Sequence, residues 1–121
     1  MKLRILDDSI RLRLDRAEVE RLGRGGHVEA VTRFPGGTAL RYRLTTGPHE
    51  DASYGGGEIS VTLPAPAANH WACTESEVSI RARLPVDGGA LSILVEKDFE
   101  CLAPRDGESQ TNRFRNPNVR K

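Results

Sequence analysis

Three Arg-x-Arg pairs are the residues of this chain whose types and spacing best suit chemistry. They are Arg11 and Arg13, Arg41 and Arg43, and Arg81 and Arg83, and Lys2 with Arg4 has the same spacing at the start of the chain. Residues two apart on a strand share one face, so each pair presents two guanidinium groups together. A guanidinium binds phosphate or carboxylate through two parallel hydrogen bonds. Strands that are neighbours in one sheet would therefore form an anion-binding platform.

Two arrangements of these strands remain open. A barrel with the arginines inside would strengthen the anion-binding prediction. Arginines on an outer surface would instead be solvated and paired with acids, each pair contributing little to stability. The acids available for such pairs include Glu29, Glu58, Glu77 and Glu96.

A second candidate site lies in Glu96-Lys97-Asp98, where an apolar strand ends. Carboxylates beside a lysine can hold a metal or shift the pKa of the amine. Cys101 and Arg105 follow closely. The alternative interpretation is a strand that has emerged into solvent.

The sequence contains no complete signature of a catalytic or metal site. His70 and Cys73 have a spacing that fits one helical turn, but a zinc site usually needs three or four protein ligands, and only a fold that brings Cys101 alongside would supply a third. The Gly55-Gly56-Gly57 run lacks the Lys-Ser/Thr ending of a phosphate loop. We predict no metal and no cofactor, and whether the chain is an enzyme stays open.

The hydrophobic pattern predicts seven strands and two short helices. Apolar and polar residues alternate over 2–6, 9–14, 27–34, 39–45, 58–63, 77–84 and 89–95. Asp15 and Glu18 form a capping box for a helix that ends at Gly23, and a second helix is predicted over 64–72. The Gly- and Pro-containing stretch 46–57 is predicted as a loop.

The order of these elements predicts an internal duplication. Ile10, Leu12 and Leu14 match Ile59, Val61 and Leu63 in apolar spacing, and the segments that follow continue the match, with Val28 on Val78. We predict one domain over 1–103 with halves of about 1–46 and 57–99, each a β-α-β-β unit. Residues 104–121 are predicted to be a polar, disordered tail or a strap over the domain.

Composition limits the partners. The formal net charge is +1 and aromatic residues make up 5% of the chain, so neither a membrane surface nor nucleic acid is favoured. No apolar run approaches the length of a membrane helix and no secretion signal is evident, which predicts a cytoplasmic protein with two reduced thiols.

Two stretches resemble an uncharacterised family of small bacterial proteins. They are MKLRILDDSIRLRLDRAEVERL at the start and VEKDFECLAPRDGESQTNRFRNPN at the end. The resemblance covers most of the chain and implies no activity, because the family has no assigned function.

These observations together predict an α+β fold with a mostly antiparallel sheet or barrel of about seven strands. The function predicted first is a non-enzymatic binding or interaction domain, with a small anion or a protein as its partner. The alternative is a β-barrel that binds, or also processes, phosphate through its strand arginines. The sequence does not indicate an oligomeric state.

Overall fold

Eight strands and two helices make up the part of the chain that the structure, a computed structural model, describes, which is residues 1–98. The first half contains β1 (Lys2–Leu6), β2 (Ser9–Leu14), α1 (Arg16–Gly23), β3 (Val28–Arg33) and β4 (Ala39–Gly47). The second half contains β5 (Asp51–Gly55), β6 (Glu58–Pro64), α2 (Ala65–Cys73), β7 (Ser79–Val86) and β8 (Gly89–Lys97). The α+β class is confirmed.

The strands form two four-stranded sheets. The first sheet has the order β1-β2-β8-β7 and the second has the order β3-β4-β6-β5. In each sheet the two outer pairs are antiparallel and the central pair, β2 with β8 or β4 with β6, is parallel. The predominance of antiparallel pairing is confirmed, whereas the barrel is wrong: over residues 1–98 the strands form two separate sheets.

Each sheet takes one hairpin from each half of the chain. The hairpin β1–β2 of the first half pairs with β7–β8 of the second, and β5–β6 of the second half pairs with β3–β4 of the first. Both halves therefore have the order strand, strand, helix, strand, strand. The β-α-β-β unit that the sequence predicts is one strand short, because β5 lies in the stretch predicted as a loop. Its residues, DASYG, are largely exposed and carry almost no apolar alternation.

One apolar core lies between the inner faces of the sheets and includes both helices. Its residues are Leu12, Leu14, Val19, Leu22, Val28, Leu44, Ile59, Val61, Leu63, Ala68, Trp71, Ala82, Ile93 and Val95. Their removal from water is the main favourable contribution to folding.

The helices are set by local signals and by close packing. Asp15 accepts a hydrogen bond from the Glu18 amide, and the Glu18 side chain accepts one from the Asp15 amide, so the predicted capping box is confirmed. At the end of α1, a Cβ on Gly23 would lie 2.7 Å from the Cβ of Ala72 in α2. The absent side chain therefore lets the two helices approach each other.

Strand register shows which positions of the two sheets correspond. Leu12 pairs with Val95 as Val61 pairs with Leu44, so β2 corresponds in position to β6 and β8 to β4. Val28 lies opposite Leu44 and Ile80 lies opposite Val95. The counterpart of Val28 is therefore Ile80, two positions beyond the predicted Val78, because the connection before β7 is longer than its apolar spacing suggests.

Candidate functional site: the basic face

Alternation along three strands places six basic side chains on the outer side of the first sheet. The inward residues of these strands, such as Leu12 and Ala82, are buried in the core, so their neighbours in sequence project outward. We call this surface the basic face. Its basic residues are Lys2 and Arg4 on β1, Arg11 and Arg13 on β2, and Arg81 and Arg83 on β7.

The register aligns these residues in rows that cross the strands. Arg4 lies opposite Arg11, which lies beside Leu94 of β8, and Leu94 lies opposite Arg81. In the next row, Lys2 is opposite Arg13, which is beside Glu96. Strand β8 separates the cations of β2 from those of β7, so its short or apolar residues form the floor between two basic walls.

A wide groove of about 670 Å³ lies over that floor. Arg11 lines it from the β2 side, and Arg81 and Arg83 line it from the β7 side. Ser92 and Leu94 belong to its floor. The complete lining is Ser9, Ile10, Arg11, Glu50, Arg81, Ala82, Arg83, Ser92, Ile93 and Leu94. Glu50 is the carboxylate of this lining, so the groove is basic but not uniformly so.

A narrow depression of about 230 Å³ lies on the other side of Arg11. It is lined by Lys2, Leu3, Arg4, Arg11 and Arg13. Four of these five residues carry a positive charge, and none carries a negative one. Arg11 lines both cavities and therefore connects them.

Glu96 forms ion pairs with two of the arginines. Its Oε1 lies 2.6 Å from Arg11 Nε and 2.7 Å from Arg13 Nε, and its Oε2 accepts a longer bond of 3.3 Å from Arg11 Nη2. Burial acts to raise the pKa of Glu96, but the hydrogen bonds and charges of Arg13 and Arg11 outweigh it and hold the pKa below its ordinary value. Glu96 is therefore ionised at neutral pH and orients both guanidiniums.

The remaining cations of the face have few counter-ions. Lys2 Nζ lies 3.3 Å from Asp98 Oδ2. Within residues 1–98, no carboxylate lies within 4.0 Å of the guanidinium of Arg4, Arg81 or Arg83. These three side chains are exposed, so their charges are available to a ligand.

The structure separates Arg41 and Arg43 from the other predicted arginines. Both lie on β4, on the outer side of the second sheet, where Arg41 is opposite Glu58 and Arg43 is opposite Glu29. Of the four strands with this spacing, β1, β2 and β7 therefore share one sheet, and β4 belongs to the other. The Nε of Arg43 is buried without a hydrogen-bond partner among the described residues. Sequence spacing does not reveal which strands share a sheet, which is why the pairs looked equivalent.

Glu96, Lys97 and Asp98 do not converge on one point. Glu96 lies on the basic face, whereas Lys97 points inward and is 2% exposed. Lys97 Nζ donates to the Thr74 carbonyl at 3.0 Å and lies 5.4 Å from the centroid of the Trp71 ring. Burial lowers the pKa of Lys97, and the charges of Glu75 and Glu77 oppose that shift only in part. Asp98 is buried and contacts Lys2.

The other predicted ligands do not form a described site. Cys101 and Arg105 lie outside the described residues. His70 Nε2 is 3.7 Å from Glu77 Oε1, and the Cys73 thiol donates to Asn69 Oδ1 at 3.4 Å. In residues 1–98 no group of three His, Cys, Asp or Glu side chains is arranged to hold a metal ion.

An apolar groove of about 510 Å³ separates the two sheets near the beginnings of β2 and β6. Its lining consists of Ile5, Ile10, Leu40, Ala52, Ser53, Tyr54, Ile59 and Leu91. Ile5 is 53% exposed and Tyr54 is 73% exposed. Sequence reasoning missed this groove, because its residues come from six strands whose arrangement no local pattern encodes.

Comparison with models of known protein families identifies the family of this chain. A family model matches residues 1–118. The chain belongs to DUF7009, a family of unknown function. No curated protein and no solved structure matches it. The membership confirms the resemblance to an uncharacterised family and assigns no role to the basic face.

The helices of the described part of the chain contain eight and nine residues. Neither has the length and apolar character needed to cross a bilayer.

Proposed function

We propose that this DUF7009 protein is a binding domain whose ligand is anionic and lies on the basic face. The observation that supports the proposal is the pair of adjoining cavities lined by Arg11, with Lys2, Arg4 and Arg13 on one side and Arg81 and Arg83 on the other. Six basic side chains on one side of a small sheet create a positive potential that attracts anions.

The Glu96 ion pairs support the proposal further. A flexible arginine loses conformational entropy when it binds a ligand, and that loss weakens binding. Arg11 and Arg13 are already held by Glu96 at 2.6 and 2.7 Å. Arg11 Nη1 and both terminal nitrogens of Arg13 make no hydrogen bond within residues 1–98, so they are in position to donate to an anion.

The second sheet provides the control for a test. Arg81→Gln with Arg83→Gln removes two exposed charges from the wide groove. Arg33→Gln with Arg41→Gln removes two exposed charges from the outer side of the second sheet. Binding of pyrophosphate is measured by isothermal titration calorimetry at constant ionic strength. We expect the first pair of substitutions to weaken binding at least about tenfold, since hydrogen bonds to charged groups contribute roughly 1.5–3 kcal/mol each.

The control pair should leave the affinity within about twofold, since surface charges more than about 8–10 Å away are screened by salt. Circular dichroism and the melting temperature verify that both variants remain folded. An equal loss of affinity from the two pairs of substitutions, or no binding of pyrophosphate or of longer phosphates by the unaltered protein, would exclude the basic face as an anion site.

We also propose that the two halves arose by duplication of a ββαββ unit. The shared element order and the matched registers of β2 with β6 and of β8 with β4 support this origin. The test is a comparison of the halves across family members. Residues at matched positions, such as Leu12 with Val61, should agree in type more often than residues paired with a shift of one or more positions; equal agreement would contradict the proposal.

A further inference from the structure

We infer that the ligand of the basic face is a condensed phosphate chain that crosses the strands, with one phosphate over each of the two cavities. This inference rests on the proposed function and specifies the class of anion. A single phosphate would need only one of the two cavities. The arrangement of both around Arg11 indicates a ligand with at least two anionic groups.

The distance between the cavities sets the length of the ligand. The wide groove is centred over β8, between Arg11 and Arg81, and the narrow depression lies over β1 and β2. Neighbouring strands are about 4.8 Å apart, so the two centres are separated by roughly one and a half spacings, or about 7 Å. A linear chain of a few phosphates spans such a distance, and orthophosphate does not.

The charges of the face favour phosphate over a carboxylate ligand. The narrow depression places four cations, Lys2, Arg4, Arg11 and Arg13, around one small volume without any carboxylate in its lining. Each unit of a condensed phosphate carries a negative charge and acceptor oxygens, so its charge density exceeds that of an acidic peptide. Arginine forks match these oxygens bidentately.

The composition of the face disfavours a nucleic acid. Proteins that bind single strands stack the bases on aromatic side chains. The outward residues of the first sheet, in contrast, include no Phe, Tyr or Trp in the described strands β1, β2, β7 and β8. The floor is formed by Ser92 and Leu94, which offer little to a base.

The test compares phosphates of increasing length on the full chain. Orthophosphate, pyrophosphate and tripolyphosphate are titrated by calorimetry at constant ionic strength, with oligodeoxythymidylate of equal total charge as the nucleic-acid arm. We expect tripolyphosphate to bind at least about tenfold more tightly than orthophosphate, because the second phosphate binds at a high effective concentration. The oligonucleotide should bind more weakly than tripolyphosphate.

Variants of the two cavities locate the two ends of the chain. Arg81→Gln with Arg83→Gln alters the wide groove alone, and Lys2→Gln with Arg4→Gln alters the narrow depression alone. Each should reduce the tripolyphosphate affinity to near that of orthophosphate, while Arg33→Gln with Arg41→Gln should not.

The outcomes separate the inference from the proposed function. Equal affinities for orthophosphate and tripolyphosphate would overturn the inference and leave an anion site. Tighter binding of the oligonucleotide would also overturn it, in favour of a nucleic-acid ligand. If none of the anions binds, the proposed function fails and the inference fails with it.

Discussion

The two sheets of this protein have the same architecture and different outer surfaces. Both have an antiparallel, parallel, antiparallel order of pairing. The first carries the six cations of the basic face with Glu96 and Asp98 beside them. The second carries acidic and basic residues in equal number, namely Glu29, Arg33, Arg41, Arg43, Asp51 and Glu58. We call the latter surface the mixed face.

This difference shows that the basic face does not follow from the fold alone. The core positions of the two sheets match in type, as at Leu12 and Val61, because both must exclude water. The outward positions are free of that requirement, so their charges can diverge. Arg11 and Ser60 occupy corresponding outward positions, so the first sheet has a guanidinium where the second has a hydroxyl. A basic surface that occurs on only one of two sheets with the same pairing order is more informative about function than a feature that both sheets share.

Charge reversal on the two faces should give the largest contrast. Arg81→Glu with Arg83→Glu places two carboxylates in the wide groove, and we expect tripolyphosphate binding to weaken by about a hundredfold, equivalent to about 2.7 kcal/mol. Arg33→Glu with Arg41→Glu on the mixed face should change it by less than about threefold, through long-range repulsion alone. Calorimetry at two salt concentrations measures both. A hundredfold loss from the mixed-face variant would mean that net charge, rather than the basic face, controls binding.

Lys97 at the end of β8 and its counterpart Thr46 near the end of β4 offer the next contrast between the two sheets. Lys97 lies beside Leu14 in the register as Thr46 lies beside Leu63. Lys97→Ala removes the aliphatic stem that packs near Trp71, and we expect it to reduce the free energy of unfolding by roughly 2 kcal/mol. Lys97→Met keeps the stem and removes the charge, so it should change the stability by less than about 1 kcal/mol. Thr46→Ala should also cost less than about 1 kcal/mol. Urea denaturation measures all three.

The pH dependence of Lys97 provides a separate check. Burial lowers its pKa in the folded state, so the unfolded chain binds more protons between that lowered pKa and the ordinary lysine value of about 10.4. The free energy of unfolding therefore rises with pH through this window. Lys97→Met should remove this contribution, which appears as a difference in slope between the two proteins in urea denaturation at alkaline pH. Identical slopes would show that the Lys97 amine is solvated as in the unfolded chain.

Substitution of Glu96 should reduce the stability by less than Lys97→Ala does. Unlike the substitutions of Arg81 and Arg83, it should strengthen phosphate binding. Glu96→Gln loses the ion pairs with Arg11 and Arg13, both partly exposed, and should reduce the free energy of unfolding by roughly 1 kcal/mol at neutral pH. Because the folded-state pKa of Glu96 is lowered, its contribution is present above the ordinary value of about 4.3 and disappears as the pH falls through the folded-state pKa. The difference between the two proteins should shrink over that acidic range.

The same substitution should tighten tripolyphosphate binding by about threefold, because the Gln oxygen can still accept hydrogen bonds that orient Arg11 and Arg13, whereas the negative charge is removed from the basic face. Glu58→Gln on the mixed face is the matched control and should leave binding unchanged. Weaker binding by Glu96→Gln would mean that holding Arg11 and Arg13 in place matters more than the added positive charge.

Sequence patterns predicted the local elements well. Strong alternation located β1, β2, β4 and β8, and the Asp15–Glu18 capping box located α1. The missed strand β5 is short and exposed, and its pairing with β6 supplies the order that its side chains do not. Local patterns record the burial of each residue, and β5 buries little.

Site prediction had a different limit. The arginines of β2 and β7 lie in one sheet with β8 between these two strands, and nothing in the spacing of Arg11 and Arg81 indicates that arrangement. Arg41 and Arg43 have the same pattern and belong to the other sheet, because each sheet takes its hairpins from different halves of the chain. Lys2 and Arg4 lie on the basic face because β1 pairs with β2 in a register that places them opposite Arg13 and Arg11. The site depends on pairing over long sequence separations.

The smallest expected effect comes from making the mixed face resemble the basic face. Glu29 and Glu58 lie opposite Arg43 and Arg41, so Glu29→Gln with Glu58→Gln leaves the three mixed-face arginines opposed only by Asp51. We expect a second, weak binding event for tripolyphosphate, detectable by calorimetry in an Arg81→Glu, Arg83→Glu background in which the basic face is blocked. The affinity should be at least about tenfold below that of the basic face, because the mixed face has Ser60 at the position of Arg11 and therefore lacks that guanidinium. If the altered face binds as tightly as the basic face, charge alone is sufficient and the paired cavities are not required. If it binds no phosphate at all, the positions of the cations around Arg11 matter more than their number.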